Sequence, residues 1–117
     1  MKIYGIKSCD SCRQARRFLA ENGIDHQWHD LREDGIDVAT VQSWLRVVGA
    51  ETLVNRHSTT WRSLDELERV EAMSAIGAAA FLAEHPTLIK RPVIVIQGDI
   101  LVGFGAPVQD KVLGARP

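Results

Sequence analysis

Residues 2–12, KIYGIKSCDSC, organise the rest of the chain. The apolar segment at residues 2–6 favours a short β-strand, and the segment from Arg13 to Asn22 favours a helix. Cys9 and Cys12 lie in the loop between them, at the start of that helix. The free N–H groups and the dipole of a helix N-terminus favour an anion. This arrangement therefore lowers the pKa of a cysteine thiol and produces a nucleophilic thiolate.

The composition is that of an ordinary globular protein. The 117 residues are 45% hydrophobic and 25% charged, which predicts one folded domain, residues 1–117. The 14 basic and 15 acidic residues give a net charge of −1, which argues against a nucleic-acid partner bound directly. No apolar run approaches the ~20 residues of a membrane span, and the first residues lack the apolar core of a signal peptide. We therefore expect a cytoplasmic protein with no membrane partner, whose two cysteines are redox-active or catalytic.

Hydrophobic patterns and turn signals predict the remaining elements. A capping box of Ser63 and Glu66 starts one helix, and Ile76 lies on the apolar face of the next. The predicted order is strand 2–6, helix 13–22, strand 24–31, helices 37–48, 51–54, 64–70 and 73–84, strands 93–96 and 100–104, and helix 108–113. The first strand–helix–strand unit implies a parallel pair with a right-handed crossover, and the last two strands form a hairpin.

This order predicts an α/β fold, in which a four-stranded mixed sheet is built from β-α-β and β-β-α halves. A Cys-x-x-Cys motif after the first strand and Pro92 before the third fit the thioredoxin-like arrangement. In that arrangement the Pro92 peptide lies beside Cys9. A cis Arg91–Pro92 bond is the corresponding hypothesis.

The two cysteines are the candidate catalytic residues. Cys9 precedes the helix and is expected to be the more exposed, so it is the candidate nucleophile. Cys12 lies one turn into the helix, on a stripe with Ala15 and Leu19, and is the candidate resolving thiol or disulfide partner. The alternative is that both are incidental core residues.

A zinc site is a different interpretation of the same cysteines. Cys9 and Cys12 are followed by His26 and His29, with a spacing that superficially resembles a two-Cys, two-His finger. Here a helix lies between the pairs and the histidines fall on a strand, where side chains three apart point to opposite faces. We therefore predict no metal site.

Basic residues flank the predicted nucleophile. Arg13 and Arg91 lie in loops that leave the same end of the predicted sheet, so both are expected near Cys9. Arg56, in the loop NRHSTTWRS, and Lys7 are further candidates. Such cations lower the pKa of a thiol and bind an oxyanion or a carboxylate of glutathione. For each of them the alternative is a solvated surface charge.

Three stretches in order carry a family resemblance: IYGIKSCDSCR at residues 3–13, LVNRHSTTW at 53–61 and LIKRPV at 88–93. They resemble the ArsC/Spx family, and most of all its YffB-like branch of arsenate-reductase-like proteins. The resemblance extends over roughly residues 2–113. It implies a thioredoxin-like sheet with a helical insertion, here about residues 37–85.

The resemblance also implies roles for residues. The family's arsenate reductases use one cysteine, which matches Cys9, and anion-binding arginines that correspond to Arg91 and Arg56. Gly5 stands where those enzymes carry a histidine, and Ala106 stands where they carry a further arginine. We therefore expect this chain to bind arsenate weakly, and arsenate reduction ranks last among the functions considered.

The likeness to the YffB-like branch implies a glutathione-dependent thiol reductase. In that function Cys9 attacks a disulfide, a glutathione mixed disulfide or an oxyanion. Glutathione or Cys12 resolves the adduct, Arg91, Arg13 and Arg56 hold the anionic partner beside Pro92, and glutaredoxin is a further candidate partner. The alternative is an Spx-like regulator, in which a Cys9–Cys12 disulfide switches binding to a protein partner, RNA polymerase.

Overall fold

The structure, a computed structural model, describes residues 1–115. Two compact units are present: Met1–Asp34 with the chain from Arg91 onward, and Gly35–Lys90. The elements of the first unit are β1 (Lys2–Gly5), α1 (Asp10–Glu21), β2 (Gln27–Asp30), β3 (Val93–Ile96), β4 (Asp99–Val102) and α7 (Ala106–Gly114). Those of the second are α2 (Val38–Val48), α3 (Ala50–Leu53), α4 (Thr59–Ser63), α5 (Glu66–Met73), α6 (Ala78–Glu84) and a 3₁₀ turn at Pro86–Leu88.

The first unit is built on a four-stranded sheet with the order β2-β1-β3-β4. β1 runs parallel to β2, with Ile3 opposite Trp28, and antiparallel to β3, with Tyr4 opposite Val93. β3 and β4 form the predicted hairpin. The predicted mixed α/β fold is therefore confirmed.

The core of this unit lies between the sheet and its helices. Ile3 and Ile94, from the two central strands, are fully buried. The same cluster includes Ala15 and Leu19 of α1, Val112 of α7, and Ile24, Ile96 and Leu101. Burial of this apolar surface holds α1 against the sheet, so the N-terminus of α1 lies where the chain leaves β1.

Two local features match the sequence prediction. The Arg91–Pro92 peptide is cis, as the position of Pro92 before β3 suggested. The hairpin turn consists of Gln97 and Gly98, which both have positive φ (49° and 88°). Two residues of positive φ give the twist that joins antiparallel strands tightly.

The start of α1 differs from the prediction. The helix begins at Asp10, three residues before Arg13. The carbonyl of Cys9 accepts a hydrogen bond from the N–H of Arg13 at 3.0 Å, so Asp10 to Cys12 form the first helical turn. The sequence prediction placed Asp10 to Cys12 in a loop, because this segment is polar.

In the second unit, α2 matches its predicted limits. Asp37 caps it by accepting a hydrogen bond from Thr40 N at 2.7 Å. Its buried face includes Val41 and Trp44, whereas Val38 is exposed. Trp44 is fully buried and so belongs to the core of this unit.

Helix starts in the middle of the chain were partly wrong. The predicted capping box of Ser63 and Glu66 is absent from the described helices, and Asp65 with Glu68 forms the capping box of α5 instead. Residues 59–63, predicted to be irregular, form α4, capped by the Ser58 hydroxyl. A shift of two residues moves every side chain to another face of a helix.

The predicted helix 73–84 is interrupted. α5 continues to Met73, α6 begins at Ala78, and the Ser74 hydroxyl accepts a hydrogen bond from Gly77 N at 2.8 Å in the turn between them. Ile76 lies in this turn and is 98% exposed, so its predicted place on a buried face was wrong.

The organisation as one domain stays a prediction, and its last two residues, 116 and 117, lie outside the described residues. The predicted helical insertion, about residues 37–85, falls within the second unit. Among residues 1–115, none of the helices has the length and apolar character needed to cross a bilayer.

Candidate active site

Cys9 lies at the N-cap of α1, half-buried, in extended backbone conformation. Its own N–H donates to the carbonyl of Ile6 at 3.0 Å, which closes a tight turn between β1 and α1. The apolar strand and the packed helix therefore fix both sides of a four-residue connection, and the thiol is held at the helix N-terminus, as the sequence predicted.

The surroundings of Cys9 favour its thiolate. Burial raises the pKa of this thiol, but the N–H and the thiol of Cys12 and the guanidinium of Arg91 lower it by more, so that its net pKa lies below the ordinary value. It is the combination of these donors and the Arg91 charge that stabilises the anion.

Cys12 has the opposite chemistry. It is fully buried on the inner face of α1, and burial raises the pKa of its thiol to about 12. The backbone N–H of Ile6 partly opposes this rise, while the negative charge of Cys9 adds to it. Both cysteines are free thiols in the structure. The pair therefore consists of Cys9, whose surroundings favour the thiolate, and Cys12, whose thiol stays protonated at neutral pH.

The predicted basic residues have different partners in the structure. The guanidinium of Arg91 interacts with the Cys9 sulfur. Arg13 forms an ion pair with Asp10 on the exposed side of α1, and Lys7 forms one with Glu33.

Arg56 and Pro92 are the other two residues predicted to bind the anionic partner. Arg56 is exposed in the second unit, in the loop before α4. Pro92 is buried, and its carbonyl accepts a hydrogen bond from Gly103 N at 2.8 Å. The binding roles of Arg13, Arg56, Arg91 and Pro92 stay predictions.

Asp30, at the end of β2, is a residue that the sequence prediction missed. Its carboxylate is only 2% exposed and accepts three backbone hydrogen bonds. Lys7 N donates to Oδ2 at 3.0 Å, while Arg32 N and Glu33 N donate to Oδ1 at 2.8 and 2.9 Å. Burial raises the pKa of Asp30, but the N–H groups of Glu33, Lys7 and Arg32 outweigh it and hold the pKa below its usual value.

Asp30 thereby joins the loop that carries Cys9 to β2, because Lys7 is two residues before Cys9. The two bonds from Arg32 and Glu33 can be predicted from the local sequence. An Asp that accepts from the residues two and three positions ahead is an Asx turn, and the polar run from Arg32 to Gly35 follows it directly. The bond to Lys7 spans 23 residues of sequence and has no such signal.

The two histidines of the alternative zinc site, His26 and His29, have neighbours other than the cysteines. The ring of His29 lies 5.0 Å from that of Tyr4 and is tilted by 46° to it, and His26 Nδ1 lies 3.0 Å from the carbonyl oxygen of Ile24. Among residues 1–115, no group of three or more His, Cys, Asp or Glu side chains is placed to hold a metal ion.

The β-α-β and β-β-α sheet, the Cys-x-x-Cys motif at the start of α1 and the cis proline before β3 define the class. The protein is thioredoxin-like, with a two-cysteine site. A model of the ArsC family matches residues 4–110, and the chain belongs to this family.

Known proteins resemble the chain over most of its length. An uncharacterized protein of Haemophilus influenzae is 44% identical over 87% of this chain and 89% of its own. The global transcriptional regulator Spx of Streptococcus pyogenes is 31% identical over 83% of this chain and 72% of its own. A solved structure of a YffB protein superposes with a TM-score of 0.87 at 35% identity, over 97% of this chain and 96% of that one.

Proposed function

We propose that the protein is a thiol-dependent oxidoreductase that uses Cys9 as its nucleophile and glutathione as its reductant. The observation that carries this proposal is the pairing of unequal thiols at one helix N-terminus. Cys9 is partly accessible and stabilised as an anion beside Arg91, whereas Cys12 is buried and protonated behind it. A thiolate is the reactive form of cysteine, so this asymmetry supports attack by Cys9.

The chemistry follows from thiol–disulfide exchange. The Cys9 thiolate attacks one sulfur of a disulfide, a new S–S bond forms to Cys9, and the other sulfur leaves as a thiolate. A glutathione thiolate then attacks the mixed disulfide, forms a disulfide with the departing group and returns Cys9 as a thiolate. A second glutathione thiolate exchanges with that disulfide, releases the departing group as a thiolate and gives oxidised glutathione. Two glutathione thiols thus supply the two electrons that reduce the substrate disulfide.

Glutathione fits the charges of this site. It carries carboxylates, and the Arg91 guanidinium lies beside the sulfur to which glutathione would be joined. Guanidinium groups bind carboxylates with paired hydrogen bonds. Cys12 is fully buried, and its thiol is protonated at neutral pH. This favours resolution of the mixed disulfide by glutathione and not by Cys12.

The test is a coupled assay with a small model disulfide, glutathione, glutathione reductase and NADPH. We expect Cys9→Ser to reduce the rate to the uncatalysed background, while Ser8→Ala, in the same exposed loop, leaves it unchanged. Cys12→Ala is expected to retain turnover, since glutathione resolves the adduct. Activity of Cys9→Ser equal to that of the unsubstituted protein would reject the proposed nucleophile.

A regulatory function is the second candidate, and the identity to Spx favours it. Exchange with a small disulfide, which accepts two electrons and leaves as two thiols, would then join the free thiols of Cys9 and Cys12 in a disulfide. That disulfide would change the affinity for a protein partner such as RNA polymerase. Affinity capture from one lysate under oxidising and reducing conditions separates the two functions. A partner captured in only one redox state, together with no turnover of model disulfides, would favour the regulator.

Arsenate reduction remains the last of the candidates. Ala106 supplies no cation at the start of α7, where the family's arsenate reductases are expected to carry an arginine. Arsenate-dependent NADPH oxidation in a glutathione and glutaredoxin assay would reverse this order.

A further inference from the structure

Gly5, the last residue of β1, lies directly against Cys12 of the two-cysteine site. It is buried, and its carbonyl accepts a hydrogen bond from Leu31 N at 2.8 Å. A Cβ placed on Gly5 would overlap the sulfur of Cys12. It would also lie 3.2 Å from Cys12 Cβ and 3.1 Å from Cη2 of Trp28.

Space, and not backbone conformation, accounts for glycine at this position. Gly5 continues a regular strand, paired with Asp30 on one side, and does not need the positive φ that favours glycine elsewhere in the chain. A β-strand ordinarily favours side chains with a Cβ, because glycine weakens it. The close approach of the Cys12 sulfur is therefore the feature that explains a glycine here.

The sulfur of Cys12 is confined on several sides. Its side chain is fully buried. The N–H of Ile6 donates a hydrogen bond to its sulfur, and its thiol donates one to the sulfur of Cys9. Protein interiors are packed closely enough that one additional methyl group displaces its neighbours. A displaced Cys12 sulfur would no longer be aligned with Cys9.

We propose that Gly5 is a positioning residue of this site: its missing side chain leaves the space in which Cys12 directs its thiol at the Cys9 sulfur. The proposal rests on the proposed function in that Cys9 is the nucleophile. Gly5 touches no substrate and acts only through Cys12. The two positions should consequently be coupled, since a side chain at residue 5 is compatible with the fold when the sulfur at residue 12 is absent.

The test is a double-mutant cycle of Gly5→Ala and Cys12→Ala. The readout is the pH dependence of Cys9 alkylation by iodoacetamide, followed at that cysteine by mass spectrometry, together with urea unfolding. Each single variant is expected to raise the pKa of Cys9 and to slow alkylation at pH 6 by about fivefold, the worth of one hydrogen bond. The double variant is expected to match Cys12→Ala, because the new methyl group occupies the space of the lost sulfur.

Gly114→Ala is the control, since a Cβ at this exposed residue of α7 meets no atom within 4 Å. It should leave alkylation of Cys9 unchanged. A purely structural effect of Gly5→Ala would lower stability without moving the pH midpoint of Cys9. Should Gly5→Ala alone not fold, a double variant that folds supports the coupling, and one that does not fold overturns it.

The results also separate this proposal from the proposed function. If Cys9 of the unsubstituted protein titrates like a free thiol, the nucleophile of the proposed function is wrong, and so is the role of Gly5. If Cys9 is acidic but Gly5→Ala leaves its titration unchanged, or adds fully to the effect of Cys12→Ala, only the role of Gly5 is overturned.

Discussion

Replacing Asp30 with asparagine is the sharpest test of how the site is held. The carboxylate is 2% exposed and accepts three N–H groups, two on Oδ1 and that of Lys7 on Oδ2. An asparagine oxygen retains the first two bonds, but its NH₂ group then faces the N–H of Lys7. Losing a hydrogen bond to a charged group, with its donor left unsatisfied, costs about 1.5–3 kcal/mol, and the two bonds that remain are weaker to a neutral oxygen. We therefore expect Asp30→Asn to lower the free energy of unfolding by about 2–4 kcal/mol at pH 7.

This loss should depend on pH. Because Asp30 has a lowered pKa in the folded state, its stabilising contribution is complete above the unfolded value of about 3.9 and is lost as the pH falls through the folded value. The deficit of Asp30→Asn should therefore be constant between about pH 5 and 7 and become smaller below about pH 4. Urea unfolding at a series of pH values measures both effects.

Asp37→Asn is the matched control. Asp37 accepts a hydrogen bond from Thr40 N at an exposed helix N-cap, where asparagine serves equally well, so the change should stay within about 0.5 kcal/mol. Two results would refute the role assigned to Asp30. One is an Asp30→Asn protein as stable at pH 7 as the Asp37→Asn protein, and the other is a deficit that does not diminish in acid.

Two further predictions address the thiolate and the core. Arg91→Gln should slow alkylation of Cys9 at pH 6 by about three- to tenfold, because the cation that lowers the pKa of Cys9 is removed. Arg17→Gln, at an exposed position, should leave the rate unchanged, and equal rates for the two variants would show that Arg91 does not stabilise the anion. Ile94→Ala should lower the free energy of unfolding by about 2–5 kcal/mol, since Ile94 is fully buried, and Ile76→Ala should change it by less than about 0.5 kcal/mol, since Ile76 is 98% exposed. Urea denaturation measures both, and a larger loss for Ile76→Ala would contradict the exposed position of Ile76 between α5 and α6.

The sheet was predictable because its signals are local and agree with one another. Residues 93–96 form a continuous apolar run, and Gln97-Gly98 marks the turn after it, so the hairpin is evident from sequence. The strand–helix–strand unit at the N-terminus leaves few alternatives to a parallel pair. Strand ends moved by one to three residues, because pairing with a neighbouring strand determines where a strand stops.

The helical middle was less predictable because several of its start signals compete. Ser63 and Asp65 both offer a cap within three residues, and only the packed structure selects Asp65. Alanine-rich residues 73–84 suit one helix by propensity, yet the Ser74 hydroxyl binds Gly77 N and ends the first segment. Such local competition between side chain and backbone is decided by tertiary contacts, which propensity does not contain.

The sequence by itself determined the class of this protein. A strand, a Cys-x-x-Cys loop, a helix and a proline before a buried strand are local patterns, and together they require a thioredoxin-like sheet with Cys9 at a helix N-terminus. Tertiary structure alone decided how the two thiols differ. Burial against β1 raises the pKa of Cys12, Arg91 reaches Cys9 across 82 positions of sequence, and Asp30 fixes the loop through Lys7. These effects arise between residues that are distant in the chain, because burial and charge act through space.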